Sequence, residues 1–251
     1  MSGHSKWATT KHRKAAQDKK RSALFSKLSR VITVAAKTGG DPSPENNASL
    51  AAAVEKAKSY SLPKDRIQVA IDKAFGAGAD AANYEEVVYE GYGPAGAAIY
   101  MEALTDNRNR TAADVRSAFT RAGGNLGATG SVAFQFVRKG EISVERAGAP
   151  DEDELLMLVA DAGGDDLEEG AEEWLVYTAP AEVMAVKTAL GAAGVPVKGA
   201  ELIMEPVTTT AMSLEDAKKV LRLVDALEEL DDIQSVYHTM ELTEEIAEAL
   251  E

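Results

Sequence analysis

The clearest fold signal lies in residues 141–204, which read EISVERAGAPDEDELLMLVADAGGDDLEEGAEEWLVYTAPAEVMAVKTALGAAGVPVKGAELIM. Short runs rich in β-branched and aromatic residues alternate here with two longer segments of helical periodicity. The predicted elements are strand Glu141–Val144, helix Glu152–Ala162, strand Asp165–Glu168, strand Trp174–Thr178, helix Ala181–Ala193 and strand Val197–Met204. This βαββαβ order is the ferredoxin-like split motif.

The residues on either side predict a second unit of the same kind. Its first part contains strands Val87–Tyr89 and Ala97–Leu104, a helix from a capping box at Thr111 to Ala122, and strand Ser131–Val137. This part lacks a second helix and a last strand. A helix capped by Ser213 and a strand at Ile233–Tyr237 supply both, so we expect the βαββαβ segment to be inserted in this domain.

The chain before these units predicts a small helical bundle. After Arg21, apolar side chains at helical spacing form one side of a helix that ends at Gly39-Gly40. A second helix runs from Glu45 to Tyr60, and Pro63 is well placed as the first residue of a third. Three short helices with short connections form a bundle.

We therefore predict a multidomain α+β protein. An N-terminal three-helix bundle precedes two ferredoxin-like α/β domains, one inserted in the other. The predicted boundaries are a basic mobile arm at 1–21, the bundle at 22–78, a discontinuous α/β domain at 79–138 plus 206–251, and the inserted domain at 139–205.

The composition argues against most enzyme classes. The 251 residues contain no cysteine, and the three histidines are dispersed without metal-ligand spacing. The acidic runs at Asp151–Glu154 and Asp165–Glu173 are typical of solvated faces. Gly91-Tyr-Gly93-Pro-Ala-Gly96 matches G-x-G-x-x-G, but a strand follows it where a dinucleotide site needs a helix, so it predicts a hairpin turn. We expect no enzymatic activity, no cofactor and no metal.

The sequence also predicts a protein of the cytoplasm. The longest apolar stretches, such as Leu155–Ala160, are far shorter than the ~20 residues that span a bilayer. The first seven residues carry no hydrophobic core of a signal peptide. No membrane association is expected, and a monomer is favoured.

The charge is strongly segregated along the chain. Residues 1–75 contain 15 Lys/Arg and 6 Asp/Glu, for a net charge of +9, whereas residues 76–251 contain 12 and 35, for a net charge of −23. Residues 1–40 alone hold ten basic residues and one acid, Asp18. This pattern indicates a basic module for a polyanion joined to acidic domains.

The candidate nucleic-acid-binding residues lie in the arm and the first helix. They are Lys6, Trp7, Lys11, His12, Arg13, Lys14, Lys19, Lys20, Arg21, Lys27, Arg30 and Lys37. The basic groups would contact phosphates, and Trp7 among them would stack on an unpaired base. The alternative is a solvated tail followed by an ordinary polar helix face.

A second candidate is the polar loop Asn107-Arg108-Asn109-Arg110, between a strand and a helix N-terminus. Two arginines at such a position would hold a phosphate on the helix dipole. Helix capping by Asn109 or Thr111 is the structural alternative, and it leaves both arginines unexplained.

Several segments in order resemble the YebC/PmpR family, whose eukaryotic relatives are mitochondrial translational activators of cytochrome oxidase. They are Gly3-His4-Ser5-Lys6-Trp7, Pro63-Lys64-Asp65, Tyr89-Glu-Gly-Tyr-Gly-Pro94, Leu104-Thr-Asp-Asn-Arg-Asn-Arg-Thr111, Gly123-Gly-Asn-Leu-Gly127 and Thr129-Gly-Ser-Val132. The resemblance implies a helical bundle and two α/β domains, one inserted in the other. It implies either promoter binding or action on the ribosome in the synthesis of proline-rich stretches, with no enzymatic chemistry.

The resulting hypothesis is a non-enzymatic nucleic-acid-binding regulator of gene expression, with duplex DNA as its target. One alternative is a translation factor that binds rRNA or tRNA on the ribosome. The absence of a recognisable helix-turn-helix, zinc finger or ribbon favours this RNA alternative on physical grounds. A second alternative is a protein-interaction module whose basic arm meets an acidic partner.

Overall fold

The computed structural model describes residues 17–76, 84–170, 173–243 and 246, with side chains from Ser22 onward. Within these residues it contains seven α-helices and eight strands. The helices are α1 (Gln17–Gly39), α2 (Ala48–Ser59), α3 (Lys64–Phe75), α4 (Arg108–Ala122), α5 (Glu152–Ala162), α6 (Val183–Ala192) and α7 (Leu214–Glu228). The strands are β1 (Glu85–Tyr92), β2 (Ala98–Thr105), β3 (Asn125–Leu126), β4 (Phe136–Glu145), β5 (Asp166–Glu169), β6 (Glu173–Thr178), β7 (Val197–Pro206) and β8 (Ile233–His238).

The first three helices share one apolar core. Leu28, Ile32 and Ala36 on α1 follow one another at four-residue spacing and are buried, and α2 and α3 both pack on α1. Asn47 fixes the start of α2, because its side chain accepts from Leu50 N at 3.0 Å and donates to Ala35 O at 3.0 Å. Helix α1 begins at Gln17, so the last five residues of the predicted arm are helical. Lys and Arg are good helix formers, and this turn needs no apolar face.

The first sheet has the strand order β3-β1-β2-β8. Strands β1 and β2 form an antiparallel hairpin in which Tyr92 pairs with Ala98, and a 3₁₀ turn at Pro94–Gly96 joins them. The interpretation of Gly91–Gly96 as a hairpin turn is confirmed. β8 lies beside β2, so the C-terminal strand completes the sheet as the sequence predicted.

Two local predictions in this region were wrong. The helix begins at Arg108, three residues before the predicted start at Thr111, because Asn107 caps it and accepts from Arg110 N at 3.1 Å. The predicted strand Ser131–Val137 contains a 3₁₀ turn at Ala133–Gln135, and β4 begins only at Phe136, where pairing with β7 starts. Phe134, in the middle of that segment, is 73% exposed.

The second sheet confirms the ferredoxin-like prediction. Its order is β5-β6-β4-β7, and each of the pairs β5·β6, β4·β6 and β4·β7 is antiparallel. Helices α5 and α6 cover one face, where a single buried core includes Ile142, Leu155, Val176 and Leu190. The α+β fold class, with an N-terminal helical region and two four-stranded sheets, is thus established.

The described chain forms two compact units. One contains residues 17–131 and 218–236, and the other contains residues 132–217 and those after 236. The predicted domain boundaries stay predictions. No helix in the described residues is long and apolar enough to cross a membrane.

Candidate nucleic-acid interface

The structure divides the predicted basic residues into three groups. Lys6, Trp7, Lys11, His12, Arg13 and Lys14 lie outside the described residues, as do the side chains of Lys19, Lys20 and Arg21 on the first turns of α1. Lys37 is exposed near the end of α1. Lys27 and Arg30, in the middle of the helix, are held by contacts with other parts of the same compact unit.

Lys27 does not lie on the open basic face that the sequence predicted. It is only 8% exposed, and its Nζ donates to the backbone carbonyl of Glu228, the last residue of α7, at 2.6 Å. The last carbonyls of a helix lack partners within the helix, and a lysine near them is stabilising. Lys27 therefore joins α1 to the end of α7, and we leave it out of the interface.

Burial also changes the acid–base behaviour of Lys27. The pKa of its ammonium group is lowered to about 8. The main cause is loss of solvation, to which the positive charge of Arg30 adds, while the negative charge of Asp231 raises the pKa in part. The folded-state pKa is below that of the unfolded chain, ~10.4. The unfolded state therefore binds more protons between these two values, and the contribution of Lys27 to stability rises as the pH rises from about 8 to ~10.4.

Replacing Lys27 with Met is therefore expected to change stability in a pH-dependent way. The free energy of unfolding of the variant relative to the wild type should be about 2 kcal/mol lower at pH 9.5 than at pH 7, because the wild type loses its buried charge as the pH rises. Urea unfolding at both pH values measures the difference. Lys64→Met is the matched control, because Lys64 on α3 is exposed. A difference between Lys27→Met and the wild type that does not change with pH would contradict this account.

Arg30 binds the residues that follow α7. Its Nη1 donates to Asp231 O at 2.8 Å and to Asp232 Oδ1 at 3.0 Å. The guanidinium lies over the ring of Tyr84, 5.4 Å from its centroid. Arg30 thus holds α1 against the loop between α7 and β8, and we also leave it out of the interface.

Asp232 is contacted by side chains of α1, β2 and α4. We call Arg30, Thr105, Arg110, Thr111 and Asp232 together the Asp232 junction. The Asp232 side chain is 9% exposed, and its Oδ2 accepts from Arg110 Nη2 at 2.8 Å. The hydroxyls of Thr111 and Thr105 lie 2.7 Å and 3.1 Å from the same oxygen. The junction places the first turn of α4 next to α1.

The protonation of Asp232 follows from these contacts. Burial raises the pKa of its carboxyl, but hydrogen bonds from Arg110, Thr111 and Thr105 together with the charge of Arg110 outweigh burial, and the pKa falls below its ordinary value. Asp232 is therefore a charged acceptor at neutral pH.

The loop Asn107–Arg110 combines structural and open residues. Asn107 caps α4, so the predicted capping by Asn109 or Thr111 was wrong. Arg110 bonds to Asp106 at 2.7 Å and to Asp232, which makes it a structural residue. The Arg108 side chain is 63% exposed, with Glu85 at 3.5 Å, and Asn109 is exposed. All four residues are exposed, and Arg108 and Asn109 are the two that neither cap α4 nor bind Asp232.

Asp232 is a residue of the site that its sequence context does not reveal. Arg110 is 122 positions away in sequence and Arg30 is 202 positions away. The local signal, Asp231-Asp232 in a turn between a helix and a strand, is typical of any solvated turn. Only the pairing of β8 with β2 brings Asp232 to α4 and α1.

The acidic runs do not form a metal centre in the described part of the chain, where no cluster of His, Asp or Glu could hold an ion. Asp151 caps α5 by accepting from Glu154 N at 2.9 Å, and acids in that first turn interact favourably with the helix dipole.

On the second sheet, the pKa of Glu141 is raised to about 8. Burial is the main cause, followed by the charges of Glu201, Glu173, Glu168 and Glu205.

Two family models together match most of the chain. Residues 5–77 match the model of the TACO1/YebC protein N-terminal domain, and residues 84–240 match that of the TACO1/YebC second and third domain. The chain belongs to the TACO1/YebC family. The resemblance found from the sequence motifs is thereby confirmed.

Curated relatives and a solved structure of this family resemble the chain over nearly its whole length. A protein of Rubrobacter xylanophilus named "Probable transcriptional regulatory protein" is 51% identical over 246 residues, covering 98% of each chain. A Photobacterium profundum protein of similar name is 51% identical over 252 residues, covering 100% of each. The crystal structure of a conserved hypothetical protein from Aquifex aeolicus is similar with a TM-score of 0.85 at 45% identity, over 96% of this chain and 98% of that one.

Proposed function

We propose that this TACO1/YebC protein is a non-enzymatic, nucleic-acid-binding regulator of gene expression that acts on DNA in the cytoplasm. The names of its relatives as probable transcriptional regulatory proteins support a regulatory role. The observation that carries the proposal is the charge of residues 1–40, ten basic residues against one acid, in a chain whose residues 76–251 have a net charge of −23. Such a segment binds phosphates, while the acidic remainder is repelled by them.

The contacts of the helical region restrict which basic residues take part. Because Lys27 and Arg30 bind the protein itself, the phosphate ligands in the proposal are Lys37 and the basic residues up to Arg21. Arg108 and Asn109 at the start of α4 add a second contact. These groups provide affinity and orientation without a sequence code, since phosphates are the same at every base pair.

RNA on the ribosome is the second candidate target, and Trp7 is the observation that favours it. An indole within a basic segment stacks on unpaired bases, which RNA loops present and duplex DNA does not. The acidic domains would then face basic ribosomal proteins. Both candidates use the same basic residues for phosphate contacts, and they differ in the target and in the stacking of Trp7.

Sedimentation of cell lysate through a density gradient separates the two targets. The full chain and a form lacking residues 1–21 are followed at low and moderate salt, with nuclease-treated controls. Migration as free protein, with recovery on promoter fragments, supports DNA. Salt-sensitive, arm-dependent migration with ribosomes makes RNA the target, and arm-dependent migration that survives nuclease treatment would refute nucleic acid in favour of an acidic protein partner.

A further inference from the structure

A second basic segment lies within the acidic part of the chain. Residues 107–139 contain six basic residues and one acid, Asp114. The basic residues are Arg108, Arg110, Arg116, Arg121, Arg138 and Lys139. The rest of residues 76–251 contains only six other basic residues and 34 acids, so positive charge is concentrated in and just after α4.

Helix α4 presents most of this charge on its outer side. Val115, Ala118 and Phe119 are buried against the first sheet. Arg108, Arg116 and Arg121 are exposed. Between the arginines the exposed residues are Asn109, Ala113, Ser117 and Thr120, with short side chains, and one acid, Asp114. This arrangement leaves room for a ligand backbone to approach the helix between flanking guanidinium groups.

The arginines on this face have weak partners or none. Arg116 makes no ion pair within the described residues, and Arg121 Nε donates only to Ser117 O of its own helix, at 3.3 Å. The contact of Arg108 with Glu85 is long, and both side chains are more than half exposed, so solvent screens it. In contrast, Arg110 of the same helix forms ion pairs with both Asp106 and Asp232. The face therefore holds three cations that the fold does not need.

We infer that the outer face of α4 binds the sugar–phosphate backbone of a nucleic acid through Arg108, Arg116 and Arg121. This inference rests on the proposed function and adds a contact site distant in sequence from the basic arm. Arg116 and Arg121 flank this face, and Arg108 lies at its N-terminal end, about 20 Å along the helix from Arg121. The site recognises phosphate spacing and not bases. DNA and RNA share this chemistry.

The test is a double variant, Arg116→Ser with Arg121→Ser, in the full chain. Affinity for a labelled 30-base-pair DNA duplex and for a structured RNA of similar size is measured between 50 and 300 mM salt. Losing two phosphate contacts should weaken binding about tenfold or more at 0.1 M salt and should flatten the slope of log K against log salt by about 1.8 on duplex or about 1.4 on single strands. The thermal midpoint should not change, because both side chains are exposed.

Lys187→Ser with Lys198→Ser, in the other compact unit, removes the same charge and serves as the control. An α4 variant that matches the wild type in affinity and slope, while deletion of residues 1–21 abolishes binding, would overturn this inference and leave the proposed function intact. An equal loss in the control would overturn it as well, since only net charge would then matter. Failure of the wild type to bind either probe at 50 mM salt would instead refute the proposed function.

Discussion

Replacing Lys11, Arg13, Lys14, Lys19 and Lys20 with alanine is expected to weaken nucleic-acid binding on the order of 10³-fold at 0.1 M salt. Each phosphate contact on duplex DNA adds about 0.9 to the slope of log K against log salt, so the slope should flatten by about 4.5 if all five residues contact phosphates. Fluorescence anisotropy with labelled duplex and RNA measures both quantities.

The folded state should tolerate these five substitutions. Lys19 and Lys20 lie in the first turns of α1, where alanine is the best helix former, and no residue of the described core is changed. The thermal midpoint is therefore the control. A variant that keeps its fold and binds both probes with unchanged affinity would contradict the account and favour an acidic protein as the partner of the arm.

Replacing Asp232 with Ala is expected to have the largest effect on stability, lowering the free energy of unfolding by about 2–4 kcal/mol. The substitution leaves Arg30 and Arg110 without their shared carboxylate and removes the acceptor of two buried threonine hydroxyls. The figure is below that of a fully buried pair because Arg110 is half exposed. Urea unfolding at pH 7 measures the loss.

The effect of Asp232 should depend on pH in a defined direction. The pKa of Asp232 in the folded state is below its unfolded value, ~3.9. Its contribution to the free energy of unfolding is therefore fully present above the unfolded pKa and is lost as the pH falls through the folded pKa. The difference between wild type and Asp232→Asn should therefore shrink from pH 7 towards pH 3. The exposed neighbour supplies the control, Asp231→Asn. Equal losses for the two substitutions at pH 7 would show that the Asp232 junction has no special role.

The elements of the fold followed from sequence because their signals are local. The βαββαβ series could be predicted from the alternation in Trp174–Thr178 and the helical spacing of Leu155 and Val159, which the second sheet buries. The predicted strand at Ser131–Val137 was wrong because Val132, Phe134 and Phe136 alternate as in a strand. Pairing with β7, which is distant in sequence, decides where the strand begins. The predicted start of α4 was wrong because Asn107, Asn109 and Thr111 are all good N-cap residues. The local sequence does not show which of them caps the helix.

The candidate site was less predictable because its decisive contacts are distant in sequence. The positive charge of residues 1–40 could be counted directly. The commitment of Lys27 and Arg30 could not, since it depends on the end of α7 and on Asp231 and Asp232, some 200 residues later. The same applies to Arg110 and Arg108, which look equivalent in the motif, because Asp232, 122 residues after Arg110, binds only Arg110.

The most direct test of nucleic-acid binding by the basic segment is a salt titration of the purified full chain beside the form lacking residues 1–21. Affinity for the duplex is measured from 50 to 300 mM salt. With about six phosphate contacts from residues 1–21, we expect log K to fall linearly with log salt, with a slope steeper by about 5 for the full chain than for the truncated form, and weak binding by the truncated form. A full chain that does not bind at 50 mM salt, or equal slopes for the two forms, would contradict this account.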